Sequence, residues 1–248
     1  MMTSLLGKVR LLLESFDAES GSLSLTELSR RSGVAKATVH RLAAEMVELG
    51  LLERVGTDYR LGLRLFELGQ LVPTQRILRD AALPFLQELH AITRETVHLA
   101  IRDGLDVLYI DKITGHGSVD LPSRIAGRLP LEVTATGKVL LAFAPTCVFD
   151  QVVARGIAKF THRTVGSAAM LRRQLERARS EAMSVEAEEV RLGTASAAVP
   201  IFSGGSTVAG AISVSTSTAR MNVARISGPL QTAGQGVSRA LYEIARTA

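Results

Sequence analysis

Apolar residues recur along the first sixty positions with the period of short helices. Leu5, Val9, Leu12 and Leu13 fall at helical spacing and predict a helix over Leu5–Phe16, followed by a polar loop at Asp17–Ser22. Ser24-Leu-Thr-Glu27 has the spacing of a capping box, in which the hydroxyl accepts a first-turn N–H and the glutamate reaches back. The helix it starts carries Leu25 and Leu28 inward and stops at Gly33, since glycine tolerates the left-handed backbone of a tight helix-to-helix turn. Val39, Leu42, Met46 and Leu49 form one stripe of a second helix over about Ala35–Leu49, ended by Gly50. Leu51–Val55 and Tyr59–Leu61 read as short strands around the turn Gly56-Thr-Asp58. Two short helices, a glycine turn and a small hairpin make the layout of a winged helix-turn-helix.

Leu63, Phe66 and Leu71 return to helical spacing before Pro73. The expected organisation is therefore a DNA-binding domain at 1–62, a linker helix at 63–78 and a second domain at 79–248. In that domain Leu83, Leu86, Leu89 and Ile92 share one face of a helix over Asp80–Arg94. Val97, Leu99 and Ile101 alternate as in a half-buried strand, and Asp103-Gly104 signals a hairpin to a return strand at Leu105–Ile113. A basic, loop-like stretch at Ser118–Pro130 leads to extended chain at Leu131–Thr134, which turns into a helix at Gly137–Ala144. Helices over Leu171–Met183 and Leu230–Ala245 flank two strands, Ala195–Phe202 and Val208–Ser215, joined by Ser203-Gly-Gly-Ser206. Strands flanked by helices, with antiparallel hairpins, define an α+β domain.

The chain has 248 residues, of which 46% are hydrophobic and 21% charged, a globular composition. It has no Trp and 4% aromatic residues, so its cores are aliphatic. A single cysteine, Cys147, in an apolar helical context, reads as a small packed residue and allows no intramolecular disulfide. The run Leu11-Leu12-Leu13 is cut by Glu14, and no apolar run approaches membrane-spanning length. The expectation is a cytoplasmic protein with no membrane partner.

Net charge is +5, but residues 1–78 carry only +1 of it, ten Lys and Arg against nine Asp and Glu. The average is thus a poor argument for DNA binding, and local clustering is a better one. Four basic residues and no acidic one lie from Arg30 to Arg41. In a helix-turn-helix the N-terminal half of the second helix faces base edges. Lys36, Thr38, His40 and Arg41 supply donors there, and Arg41 has the reach for guanine O6 and N7. Arg30 and Arg31, with Arg54 and Arg60 on the wing, are candidates for phosphate.

Thr134-Ala-Thr-Gly-Lys138 invites a phosphate-loop reading, but Glu132 stands where the first glycine of that motif is required. What remains is a small-residue turn at a helix N-terminus, which is either an anion seat or a plain helix start. His40, His90, His98, His116 and His162 are scattered without metal-ligand spacing, so neither a metal nor another cofactor is expected. No nucleophile–base pair stands out. An enzyme carrying an accessory winged helix and a protein-binding winged helix are the competing readings. The acid-free basic stretch Arg30–Arg41 argues against the second of them.

Taken in order, several blocks resemble the isocitrate-lyase-regulator (IclR) family of bacterial transcription factors. They are Leu25–Leu42, the wing ending Tyr59-Arg-Leu-Gly62, Glu95-Thr-Val-His-Leu-Ala100 and Tyr109-Ile-Asp-Lys112. Further along come Arg128-Leu-Pro-Leu131 running into Ala135-Thr-Gly-Lys138, Ala187-Glu-Glu189, Gly193, Ala198-Val-Pro200 and Ala211-Ile-Ser-Val-Ser215. The resemblance implies a winged helix-turn-helix, a linker helix used in dimerisation, a C-terminal effector domain resembling a GAF fold, and a dimer or tetramer. It also implies binding of small organic acids or aromatic metabolites at Ala135, Thr136, Glu186, Ser196, Ser213 and Ser215. This chain departs from the family pattern at Ser196, where many members have Cys, at Glu186, where many have Asp, and at Ala37, often Ser. Pro73 is expected to shorten or kink the linker helix. The expected function is a ligand-responsive, non-enzymatic regulator of a (pseudo)palindromic double-stranded DNA operator.

Overall fold

A computed structural model of the chain describes residues 4–17, 19–115, 121 and 123–247. His116 and part of the loop expected over Ser118–Pro130 lie outside the described residues. Contacts divide the chain into two compact units, Met1–Pro73 and Thr74–Ala248.

The first unit is a winged helix-turn-helix. It runs α1 (Leu5–Leu13), β1 (Leu23–Ser24), α2 (Leu25–Ser32), α3 (Lys36–Glu48), β2 (Leu52–Val55), β3 (Asp58–Leu61) and α4 (Leu63–Gln70). Gly33 ends α2 at φ +68°, which supplies the left-handed turn into α3. Val39, Leu42, Ala43 and Met46 of α3 pack on Leu12, Leu28 and Tyr59. Leu49, expected to extend that stripe, lies beyond the end of α3 and is exposed. The capping box is half formed. Ser24 Oγ accepts the Glu27 N–H at 3.2 Å. The Glu27 carboxylate turns instead to Arg30 and Arg31, because charge-assisted bonds to guanidinium outcompete one to a backbone amide. The wing gains a strand the periodicity does not reveal: β1 pairs with β3 through Leu23 and Tyr59. Two residues are too few to show alternation.

The second unit contains α5 (Pro73–Thr93), β4 (Thr96–Asp103), β5 (Asp106–Ile113), β6 (Arg128–Pro130) and a 3-10 turn at Leu131–Val133. Then come α6 (Ala135–Ala142), α7 (Thr146–Arg155), α8 (Ala168–Glu181), β7 (Ser184–Ala187), β8 (Thr194–Gly204), β9 (Thr207–Ser217) and α9 (Val223–Thr247). The linker expected as one helix over 63–78 is α4 followed by the start of α5. Pro73 opens α5, where its missing N–H costs nothing. The buried stripe of α5 is Leu78, Ala82, Leu86 and Leu89, leaving Leu83 and Ile92 exposed, contrary to expectation. The expected elements do not include β7, nor β6, which falls in the stretch expected as loop, and only the helical context of Cys147 points to α7. Cys147 is exposed and not packed, because α7 buries Val148, Phe149 and Val152 instead.

The six strands form one antiparallel sheet in the order β6-β5-β4-β9-β8-β7. Helices cover both faces, so β4 is buried on two sides at its start and not half-buried. Successive side chains of a strand point to opposite faces, and here the two phases differ in chemistry. Val97, Leu99, Val199, Ile212 and Val214 meet α5 and α9 in an aliphatic core. The opposite phase is small or polar, with Ser196 and Ala198 on β8, Ser213 and Ser215 on β9, and His98 and Ala100 on β4. That second face carries Ala100, Tyr109 and Ala198 against Val139, Leu140 and Leu171 of α6 and α8. The polar end of the phase is what positions the site.

Candidate functional site

In the first unit α3 presents Lys36, His40 and Arg41 outward, and Thr38 is half-buried beside them. Arg41 faces Glu45 at 3.8 Å with both side chains largely exposed, a pairing that leaves the guanidinium available. Lys36 Nζ rests 3.0 Å from Thr26 Oγ1. Arg31, expected at phosphate, is otherwise engaged. It donates to Glu27, the Ser15 carbonyl, Asp17 and Ser20, and so fastens the α1–α2 loop to α2. Arg30 forms a two-point contact with Glu27. These guanidinium bonds bring Glu27 down to about 2, and bonds from Ser20 and Arg31 do the same for Asp17. On the wing, Arg54 lies over the Tyr59 ring at 5.9 Å and Arg60 pairs with Glu53 at 2.8 Å.

In the second unit five of the six expected effector residues meet around one cavity. Ala135, Thr136, Glu186, Ser196 and Ser215 line it, together with Tyr109, Leu121, Ser123, Leu129, Thr134, Val190 and Thr194. The register explains the convergence. Glu186 pairs with Ser196 across β7 and β8, and Ser196 with Ser215 across β8 and β9. The three side chains therefore form one row on one face, and the two serine hydroxyls are 2.8 Å apart. Ser213 is the exception. It is buried behind the cavity wall, its hydroxyl 3.4 Å from His98 Nδ1.

The N-terminus of α6 faces this row. Thr134 caps it, accepting the Gly137 N–H at 2.8 Å. The first amides of a helix have no intrahelical acceptor, so those of Ala135 and Thr136 are donors at the cavity wall. Residue 137 has to be glycine, because a Cβ there would sit 2.2 Å from the Leu131 carbonyl oxygen. Lys138 does not serve the cavity. It is wholly buried and ion-paired with Glu189, which also accepts the Val165 N–H at 3.1 Å. The stretch is thus an anion-compatible helix start and not a phosphate loop.

Burial raises the Glu186 carboxyl to about 7, against the N–H of Glu189 and the hydroxyl of Ser196, which favour its charged form. A carboxyl raised that far can donate as well as accept near neutral pH. Burial also pushes the Tyr109 phenol up, with Thr136 and Thr134 lining the same cavity. The cavity is partly open, with an accessible volume of about 30 Å³.

Sequence reasoning missed Tyr109, Ser123 and His98. The signal for His98 was present as the polar phase of the strand whose apolar phase is Val97 and Leu99. His98 Nε2 lies 2.7 Å from Ser123 Oγ, a serine–histidine pair that inspection of the sequence does not reveal. Its electrostatics do not suit catalysis. Burial and Lys112 hold the imidazole down to about 3, far from a general base working near neutrality. Among the described residues no group of three or more His, Cys, Asp or Glu side chains could hold a metal ion. Among them, too, no helix is long and apolar enough to cross a membrane.

Residues 6–56 match the IclR helix-turn-helix domain, and residues 71–239 match the bacterial transcriptional regulator IclR C-terminal domain. The HTH-type transcriptional regulator XynR of Escherichia coli K12 is 34% identical over 236 residues, 93% of this chain and 94% of its own length. The regulator KdgR of Dickeya chrysanthemi is 35% identical over 208 residues, 82% of this chain and 68% of its own. Among solved structures, an IclR homologue from Microbacterium hydrocarbonoxydans complexed with 4-hydroxybenzoate is similar at TM-score 0.90 and 29% identity, covering 96% of this chain and 99% of that one. Thermotoga maritima IclR is similar at TM-score 0.77 and 28% identity, covering 98% and 100%.

Proposed function

The chain belongs to the IclR family of bacterial transcriptional regulators, and on that premise we propose that it binds a (pseudo)palindromic DNA operator and releases or engages it in response to a small organic acid. The observation that carries this reading is the convergence of the α6 N-terminus on the row Glu186, Ser196 and Ser215. An effector carboxylate would accept from the Ala135 and Thr136 amides, and protonated Glu186 would donate to it or to a neighbouring oxygen. The homologue from Microbacterium hydrocarbonoxydans, with 4-hydroxybenzoate bound, supports an acid of that general kind.

The DNA contacts follow from exposure. Lys36, His40 and Arg41 on α3 would meet base edges, with Thr38 beside them, and Arg30, Arg54 and Arg60 would meet phosphate. Arg31 contributes by holding the loop. The first unit also exposes Leu6, Leu63, Phe66 and Leu71. Large exposed apolar side chains concentrated on α1 and around α4 suit coverage by a second copy, and a dimer would place two α3 helices on a two-fold operator. A cytoplasmic location fits this role.

An effector changes operator affinity only by as much as it discriminates between the two conformations of the dimer. A cavity of about 30 Å³ is far below the several hundred needed for a bound metabolite, so effector binding requires the walls to part. The test combines two measurements on the full chain. A thermal-shift screen of organic acids identifies a binder, and fluorescence anisotropy on operator DNA follows its effect. The expected result is a stabilising acid that shifts operator affinity, with both effects reduced in Glu186→Gln and Ser196→Ala. A stabilising acid whose shift is identical in both variants would place the effector elsewhere.

A further inference from the structure

Ser123 lines the cavity but is held from behind at both of its polar groups. Its carbonyl accepts Lys112 Nζ at 2.8 Å, and its hydroxyl lies 2.7 Å from His98 Nε2. His98 is buried, its ring against Tyr109 at 5.2 Å between centroids, and its other nitrogen is 3.4 Å from Ser213 Oγ. Desolvation and the nearby Lys112 ammonium keep this imidazole neutral, so it carries one N–H between two nitrogens.

The ring N–H then faces either Ser123 or Ser213. Placed on Nδ1 it points towards Ser213, and Ser123 gives its own proton to Nε2 in the short contact, a length common for O–H donors. A serine has one proton and two lone pairs. With the proton committed to His98, Ser123 offers the cavity only an acceptor.

We propose that Ser123 reads a hydroxyl group on the effector, that His98 is the positioning residue fixing it as an acceptor, and that the cavity thereby selects hydroxy-carboxylic acids over acids lacking the hydroxyl. The proposal rests on the assignment of this cavity as the effector site. The α6 end offers amide donors, which suit a carboxylate. The Ser123 end offers lone pairs, which suit an O–H. A hydroxy acid carries the matching pair of groups, and an acid without the hydroxyl leaves a buried acceptor unsatisfied.

The test has one arm that needs no ligand. In ¹⁵N-resolved imidazole spectra of the full chain, with His98 assigned by its loss in His98→Gln, the expected signature is a neutral ring protonated at Nδ1. A ring protonated at Nε2 overturns the proposal. The second arm compares matched acids, lactate with propionate and mandelate with phenylacetate, by thermal shift and calorimetry. The hydroxy member is expected to bind about tenfold more tightly. Ser123→Ala should erase that ratio, and His98→Leu should erase it too. His98→Gln, whose amide oxygen can take the Ser123 proton, should keep it. Melting curves of the free variants report folding, and should His98→Leu not fold, Ser123→Ala carries the test. An acid that binds with the same ratio in wild type and Ser123→Ala overturns the role of Ser123 alone. Failure of every acid to bind overturns the effector site itself, and the role of Ser123 with it.

Discussion

Lys138 and Glu189 form a buried ion pair one helical turn beyond the Ala135 and Thr136 amides, and the peptide N–H of that same Glu189 donates to Glu186 at 3.1 Å. The start of α6 and the pocket carboxylate are thus tied to the same residue. Removing one partner of such a pair leaves an uncompensated charge in a dry site, which costs roughly 3–5 kcal/mol. Lys138→Met should lower stability by that amount in urea unfolding. The double replacement Lys138→Met with Glu189→Leu should recover much of it. A single variant as stable as wild type would mean that the pair is not buried as described.

Glu186 gives the molecule a pH dependence whose sign can be worked out. Its folded value, about 7, lies above the ordinary 4.5. The stability that goes with the neutral carboxyl is fully present below pH 4.5 and is lost as pH rises through 7. The difference corresponds to about 3 kcal/mol, at 1.36 kcal/mol per pKa unit. Glu186→Gln should remove this component, so its stability should fall less than that of wild type between pH 5 and about 8. Parallel pH curves for the two proteins would contradict the shift.

Arg31 and Arg41 should separate cleanly in their effects. Arg41→Ala is expected to cost on the order of 1–3 kcal/mol in operator binding with the fold intact. Arg31→Ala removes the bonds to Glu27, Asp17, Ser15 and Ser20 and should act mainly on the melting temperature of the first unit. Operator titrations alongside thermal melts distinguish the two. Equal losses of DNA affinity without loss of stability would return Arg31 to the phosphate-binding set.

Gly137→Ala sets a methyl group 2.2 Å from the Leu131 oxygen and 2.6 Å from its Cα, neither of which is the end of a flexible side chain. The start of α6 must shift, carrying the Ala135 and Thr136 amides with it. The expected outcome is a destabilised protein, on the order of 1–3 kcal/mol as for other overpacked sites, that no longer responds to the stabilising acid. An unaltered ligand shift in this variant would show that those amides do not contact the effector.

Much of the fold was legible because its signals are local. Gly33, the stripe on α3 and the Asp103-Gly104 hairpin declare themselves within a few residues. What escaped is set by long-range packing. Strand β1 is two residues long and owes its existence to Tyr59. Strand β7 has four residues and is recognisable mainly by its partner β8. The candidate site follows the same division. Ala135, Thr136, Glu186, Ser196 and Ser215 came from the family resemblance; sheet register aligns the last three, and the start of α6 brings Ala135 and Thr136 to face them. Ser213 belongs to the same phase of β9 yet lies behind the wall, because the pairing of β9 with β4 sets it opposite His98. Arg31 read as a phosphate contact because net charge does not show which cations already have partners.

The small volume between Tyr109, Glu186 and the serine row has a kinetic meaning. An acid of metabolite size seated at the proposed effector site would need those walls to part first. The observed binding rate would then climb in proportion to the acid at low concentration and level off at the rate of opening. A sensor of that kind would be a low-pass filter, deaf to pulses briefer than its own opening time, and a rate that rises without a plateau would show that the site stands open.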